Sequence, residues 1–166
     1  KIKIWDVETG KCKQTVGNGN IPYSCKYSPT EPHVILAACN DKKIIQYDTR
    51  TTEIIQEYDH HFAAVNTLTW YDDGRKFMTC GDDKRVLCWE YGVPTPIKYI
   101  AEPDMHTIAA VTSHPNGNYF AGQSLDNKIV LFDTRNKFSM VKKRSFKGHV
   151  VAGYACQIGF SSNGKF

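Results

Sequence analysis

No stretch of this 166-residue chain carries a sustained helical period, and no apolar run approaches the roughly 18 residues needed to cross a bilayer. The first absence leaves an all-β fold, and the second leaves no helical membrane span. The six cysteines, Cys12, Cys25, Cys39, Cys80, Cys88 and Cys156, contain no C-x-x-C pair. Most lie inside strand patterns such as Val34–Cys39 and Phe77–Cys80, where free cysteine packs as a small hydrophobe. They read as reduced core thiols of a cytosolic or nuclear protein, against disulfides or zinc ligands. No second cluster of Cys, His or carboxylate stands at ligand spacing from His60-His61 or His149, so these read as loop histidines and no metal site is expected. A glycine-rich phosphate loop is also missing, since Gly17-Asn18-Gly19-Asn20 has the composition of a turn. No cofactor and no small-molecule substrate is implied. The net charge of +4 is mildly basic, which is compatible with an RNA-containing or acidic partner without requiring one.

What is present is a repeat. Ile2-Lys3-Ile4-Trp5-Asp6, Ile44-Ile45-Gln46-Tyr47-Asp48, Val86-Leu87-Cys88-Trp89-Glu90 and Ile129-Val130-Leu131-Phe132-Asp133 place an aromatic residue at intervals of 42, 42 and 43 positions. A period of about 40–45 residues, with four short strands in each unit, is that of a WD40 β-propeller blade. In the first full repeat the strands are expected at Tyr23–Ser28, Val34–Cys39, Lys43–Asp48 and Ile54–Tyr58. The second gives Val65–Tyr71, Lys76–Cys80, Arg85–Glu90 and Ile97–Ala101, and the third Ile108–Ser113, Asn118–Gln123, Lys128–Asp133 and Met140–Phe146. Turn residues separate them: Ser28-Pro29, Asp72-Asp73-Gly74, Pro115-Asn116-Gly117 and Asn163-Gly164. Residues 1–16 then close one blade, 17–58, 59–101 and 102–146 form three full antiparallel four-stranded blades, and 147–166 open the next, with Gln157–Ser161 leading into a hairpin turn. Just under four repeats, of about seven expected in a closed ring, make this a segment of a longer propeller. Gly92-Val93-Pro94-Thr95-Pro96 and Ala101-Glu102-Pro103-Asp104-Met105 lengthen two outer connections, where proline is expected to block strand pairing.

Within the second repeat His61, Thr79, Asp83 and Trp89 stand at the positions of the structural tetrad of such blades. There a histidine, a hydroxyl, a turn aspartate and a tryptophan form a hydrogen-bonded chain that pins the loops. Histidine, threonine and aspartate together also invite comparison with a nucleophilic triad. The same offsets return as Asn18, Ala37, Asp41 and Tyr47, and again as His106, Gly122, Asp126 and Phe132, with the hydroxyl missing. That pattern is scaffold, so no catalytic residue is assigned and the protein reads as no enzyme.

Cations follow each turn aspartate: Lys42 and Lys43, Lys84 and Arg85, and Lys128. Equivalent positions in successive blades share a face, so these five are expected to form an arc for a phosphate-bearing or acidic partner, against ordinary solvated turn lysines. A second basic cluster, Lys142-Lys143-Arg144 with Lys147, lies on an outer strand and its exit. Tyr47-Asp48-Thr49-Arg50 and Phe132-Asp133-Thr134-Arg135 repeat an aromatic-Asp-x-Arg pattern. Through Arg50 and Arg135 it resembles the motif by which some WD40 proteins dock as substrate receptors on cullin–RING ubiquitin ligases.

Several strings outside the generic repeat carry a narrower resemblance. They are Ile55-Gln56-Glu57-Tyr58-Asp59 with Ala64-Val65-Asn66-Thr67, and Lys98-Tyr99-Ile100-Ala101-Glu102-Pro103 with Met105-His106. Gln123-Ser124-Leu125-Asp126-Asn127 follows, then Phe146-Lys147-Gly148-His149 running into Val151-Ala152-Gly153-Tyr154-Ala155-Cys156-Gln157. From Ile44 to Phe160 the chain is similar to the WD40 splicing factors of the pre-mRNA-processing factor seventeen family. It departs from them at Gly17-Asn18, where the family carries a Gly-His pair. The resemblance implies a nuclear, non-catalytic subunit of the spliceosome acting around the second transesterification, while RNA and its metal ions perform the chemistry. Its implied partners are spliceosomal proteins, with direct contact to spliceosomal RNA or pre-mRNA left open, and no membrane. A long amino-terminal region would precede the propeller.

Overall fold

Alternating apolar residues and short turn signals give strands throughout, and the computed structural model describes them over residues 1–135 and 138–166. β1 (Ile2–Trp5) and β2 (Cys12–Val16) form a two-stranded antiparallel sheet. β3 (Pro22–Tyr27), β4 (Val34–Cys39), β5 (Ile44–Asp48) and β6 (Ile54–Tyr58) form the first four-stranded sheet, each strand antiparallel to its neighbour in chain order. The second comprises β7 (Val65–Tyr71), β8 (Lys76–Gly81), β9 (Val86–Glu90) and β10 (Pro96–Ile100). The third comprises β11 (Ile108–Ser113), β12 (Tyr119–Ser124), β13 (Lys128–Asp133) and β14 (Ser139–Lys147). Trp5, Tyr47, Trp89 and Phe132 fall on β1, β5, β9 and β13, so the repeating aromatic marks equivalent strands. No helix among the described residues is long and apolar enough to cross a membrane.

The sheets stack face to face, which explains why their middle strands read as continuous apolar runs. Both β4 and β5 are buried along their whole length, as strands covered on two faces must be. Between the two-stranded sheet and the first blade lie Ile2, Val16, Ile35, Ala37 and Tyr47. Leu36, Ile44 and Tyr58 of the first blade meet Leu68, Phe77 and Trp89 of the second. Phe77 stacks on Trp89 at 6.0 Å and 9°, and Tyr58 stands edge-on to both at 5.0 and 5.4 Å. Met78, Cys80, Val86 and Cys88 of the second blade then pack on Ile108, Phe120 and Phe132 of the third. The innermost strand β7 neighbours both β3 and β11, and the three line a concavity of about 400 Å³ together with Gly153, Ala155 and Gln157.

Three local expectations change. Pro96 does not block pairing: it opens β10 opposite Trp89, on the outer edge where its missing N–H costs no ladder bond. Residues 157–160 form no strand, having no partner among the described residues, although Ser161 donates to the Phe166 carbonyl at 2.7 Å to close the turn. Of the six free cysteines, Cys39, Cys80 and Cys88 are core residues, whereas Cys12, Cys25 and Cys156 are exposed. Cys12 and Cys25 sit on strands that are covered less completely than β4 or β8.

Candidate functional site

The second blade joins His61, Thr79, Asp83 and Trp89 in one chain of hydrogen bonds. Trp89 Nε1–H donates to Thr79 Oγ1 at 2.9 Å, and His61 Nε2 lies 2.7 Å from the same hydroxyl. His61 Nδ1 lies 2.8 Å from Asp83 Oδ2, which also accepts from the Phe62 backbone N–H at 3.0 Å. Every donor finds an acceptor when the imidazole proton sits on Nδ1: tryptophan gives to threonine, threonine to histidine, and histidine to aspartate. Burial opposes the charge on Asp83, but His61 and the Phe62 and Arg85 backbone N–H groups outweigh it and hold the carboxyl below its ordinary range. The His61 and Asp83 side chains are 0% and 3% exposed, so the chain presents no nucleophile to solvent.

Gly81 is what admits the imidazole, and the sequence reading did not single it out. A Cβ there would lie 2.7 Å from the Ala64 carbonyl oxygen and 3.0 Å from His61 Nδ1. At the equivalent positions, two residues before the turn aspartate, the other blades carry Cys39 and Ser124. Each carries the Cβ that Gly81 lacks.

The first blade reaches the same end with shorter parts. Tyr47 O–H donates to Asn18 Oδ1 at 3.2 Å, spanning the gap left by Ala37, and Asn20 Nδ2 donates to Asp41 Oδ2 at 2.5 Å. Two asparagines thus share the bonds that one histidine makes in the second blade. The third blade makes neither arrangement. A Cβ on Gly122 would meet Ile108 Cγ2 at 3.0 Å and Phe132 Cε2 at 3.1 Å, and the Phe132 ring has no N–H to donate. His106 is exposed, while Asp126 is held by Lys128 at 2.5 Å. Burial again works against the Asp126 charge, and the Lys128 and Ser124 side chains keep its carboxyl low. A further buried network joins the first two blades: Tyr58 O–H donates to Gln46 Oε1 at 2.8 Å, and Gln46 Nε2 donates to Tyr91 at 3.0 Å. A lone glutamine inside the apolar β5 pattern is the sequence signal for it.

The five turn cations fall in equivalent turns but in different circumstances. Lys42 and Lys84 are exposed, at φ of 73° and 60°. Lys43 pairs with Glu57 at 2.6 Å, Arg85 lies over the Phe62 ring at 4.2 Å, and Lys128 holds Asp126. Both docking arginines are engaged within the chain. Arg50 makes a two-pronged contact with Asp48, closest at 2.6 Å. That contact lowers the Asp48 carboxyl to about 2. Arg135 reaches the Tyr119 hydroxyl, lies over the ring at 4.9 Å and stands 3.7 Å from Asp133. His149 Nε2 contacts Gln123 Oε1 at 3.0 Å, and His60 is exposed with its ring edge-on to Trp89 at 5.8 Å. No group of three His, Cys, Asp or Glu placed to hold a metal occurs among the described residues.

Comparison with known proteins gives these features a family. The WD domain, G-beta repeat family matches residues 52–90 and 98–133. Pre-mRNA-processing factor 17 of Homo sapiens is 49% identical over 162 residues, covering 96% of this chain and 28% of its own length. The Saccharomyces cerevisiae protein of that name is 38% identical over 168 residues, 99% of this chain and 37% of its own length. WD repeat-containing protein 25 of Mus musculus is 23% identical over 164 residues, 93% of this chain and 30% of its own. The chain therefore spans about a third of the length of the curated relatives it matches. Its four-stranded blades are those of a WD40 propeller segment, and over nearly its whole length the chain is similar to pre-mRNA-processing factor 17.

Proposed function

We propose that this propeller segment is part of a non-catalytic scaffold subunit of the spliceosome, working in the nucleus and supporting the second step of pre-mRNA splicing. The observation that carries the reading is the likeness to pre-mRNA-processing factor 17 over 96% of the chain in the human protein and 99% in the yeast protein. The internal chemistry supports it: the one His–Thr–Asp constellation is spent on holding its own blade, with Trp89 as fourth member. What such a scaffold offers partners is its loops and rim, which vary while the sheets do not. Spliceosomal proteins are the first class of partner. Spliceosomal RNA or pre-mRNA is the second, through exposed turn cations such as Lys42 and Lys84.

The test is depletion of the full-length protein from a splicing extract. Lariat intermediate and free 5′ exon should accumulate, and adding the protein back should restore the second step. Affinity purification of the intact protein should bring down small nuclear RNAs. Recovery of cullin adaptors without them would replace this reading with that of a ubiquitin-ligase substrate receptor.

A further inference from the structure

The third blade holds a cavity of about 250 Å³, and three departures from the repeat build it. First, the tetrad is missing: Ile108 and Phe132 close over Gly122, and His106 stands exposed on the cavity lining. Second, the outer strand is expanded. Met140 pairs with Phe132 and Ser145 with Val130, so residues 141–144 all stand opposite Leu131. In β6 and β10 the corresponding irregularity is a single residue, Ile55 or Ile97. Third, the lengthened connection after β10 adds Asp104 and the buried Met105 to the lining.

Lys128, Lys142, Arg144 and Lys147 all line this one concavity. Lys128 is paired with Asp126 and Lys142 with Glu102 at 2.8 Å, while Arg144 and Lys147 are exposed. The apolar side is Ile108, Val130, Phe132 and Met140. Asp126 Oδ1 is buried and has no hydrogen-bond partner. At about 250 Å³ the space falls below the ~300–1,000 Å³ of ordinary small-molecule pockets and suits one side chain of a partner.

We infer that this cavity receives a phosphorylated serine or threonine presented by an extended segment of a partner protein. A phosphorylated side chain carries close to two negative charges and three acceptor oxygens on one small group. Arg144 and Lys147, exposed on the lining beside the paired Lys128 and Lys142, answer such a point of charge, and Arg144 can do so with two parallel N–H donors. The apolar wall takes the methylene next to the phosphate. A nucleic-acid strand fits less well. Asp104, Asp126 and Glu102 lie among the cations, so successive phosphates along a backbone would meet carboxylates, whereas a single inserted dianion need not. The proposal does not depend on the splicing assignment, because it concerns binding measured with purified protein.

The test uses the full-length protein and three labelled probes: a degenerate peptide pool with a fixed central phosphoserine, the same pool with serine, and a uridine decamer. The phosphoserine pool should bind, and the serine pool should not. Arg144→Ala with Lys147→Ala, both at exposed sites, should weaken binding by about tenfold or more. Lys143→Ala, outside the lining, should stay within about twofold. Ser145→Phe fills the cavity without altering a charge and should abolish binding. Equal binding of both peptide pools, binding of neither, or full affinity in folded Ser145→Phe would overturn the proposal. So would uridine-decamer binding that is lost in the double variant, which would make the surface a nucleic-acid contact.

Discussion

The second and third blades share a sheet topology, a strand order and an aromatic at the same place, yet one is closed by a buried polar chain and the other is left open. In the second, Gly81 clears the space, His61 enters it, and Thr79 and Trp89 complete the circuit. In the third, Ser124, Gly122 and Phe132 stand at those positions, His106 is exposed, and a cavity remains. The apolar packing does not follow this difference, since Phe132 and Trp89 are both fully buried against the preceding blade. Burial of the aromatic therefore builds a blade, and the tetrad tightens one already built. The first blade makes the same point from the other side, because Asn18 and Asn20 serve Tyr47 and Asp41 without a histidine.

If the tetrad is an added fastening, cutting it at its centre should have the largest effect. Thr79→Val keeps the shape but leaves Trp89 Nε1 and His61 Nε2 without their shared partner, and should cost about 2–4 kcal/mol by denaturant titration of the intact protein. Gly81→Ser turns the second blade into the third at the position that matters. The new Cβ presses on the Ala64 backbone, and a loss of about 1–3 kcal/mol is expected with weaker protection of the turn amides. Asp83→Asn should cost about 1–3 kcal/mol near neutral pH, and Asp41→Asn less, since Asp41 has one side-chain partner and an Oδ1 that is already unpaired. The Asp83 effect has a pH signature. Its folded carboxyl titrates below the unfolded one, so the stabilisation is complete above the unfolded value of roughly 3.9 and fades as pH falls through the folded value. Wild type and Asp83→Asn should converge in acid. Equal costs for Asp83 and Asp41, or a gap that widens in acid, would break the comparison.

How much of this was readable follows from the range of the interactions. The aromatic at its near-42-residue interval and the alternation around it are local signals, and β4, β6, β7, β11 and β13 lie where the pattern puts them. The tetrad residues could be named because they recur at fixed offsets. Gly81 was overlooked because a missing side chain leaves no chemical mark, and its meaning appears only when Cys39 and Ser124 are set beside it. Asn20 was invisible for a different reason: its partner Asp41 is 21 residues away and no repeat offset links them. The expansion of β14 was hidden too. Met140–Phe146 looks like any outer strand until pairing with β13 fixes which residues are left over. The same limit applies to Arg50 and Arg135, whose motif is written in the chain while their engagement with Asp48 and Tyr119 is not.

The smallest expected effect concerns that engagement. Asp48 is the residue after Tyr47 on β5, and Arg50 folds back onto it through Nε and a terminal nitrogen. The Arg50 side chain is 66% exposed, so solvent screens the pair and Arg50→Ala should leave the melting temperature almost unchanged. The titration of Asp48 should nevertheless move. Carboxyl chemical shifts followed by NMR should show Asp48 losing its charge at about 2 in the wild type. In Arg50→Ala the midpoint should rise toward the ordinary carboxylate range, remaining below it because the residue-50 backbone N–H still donates to Oδ1. An Asp48 midpoint unmoved by loss of Arg50 would mean that the arginine is free in solution, and the docking motif would then be available to a partner after all.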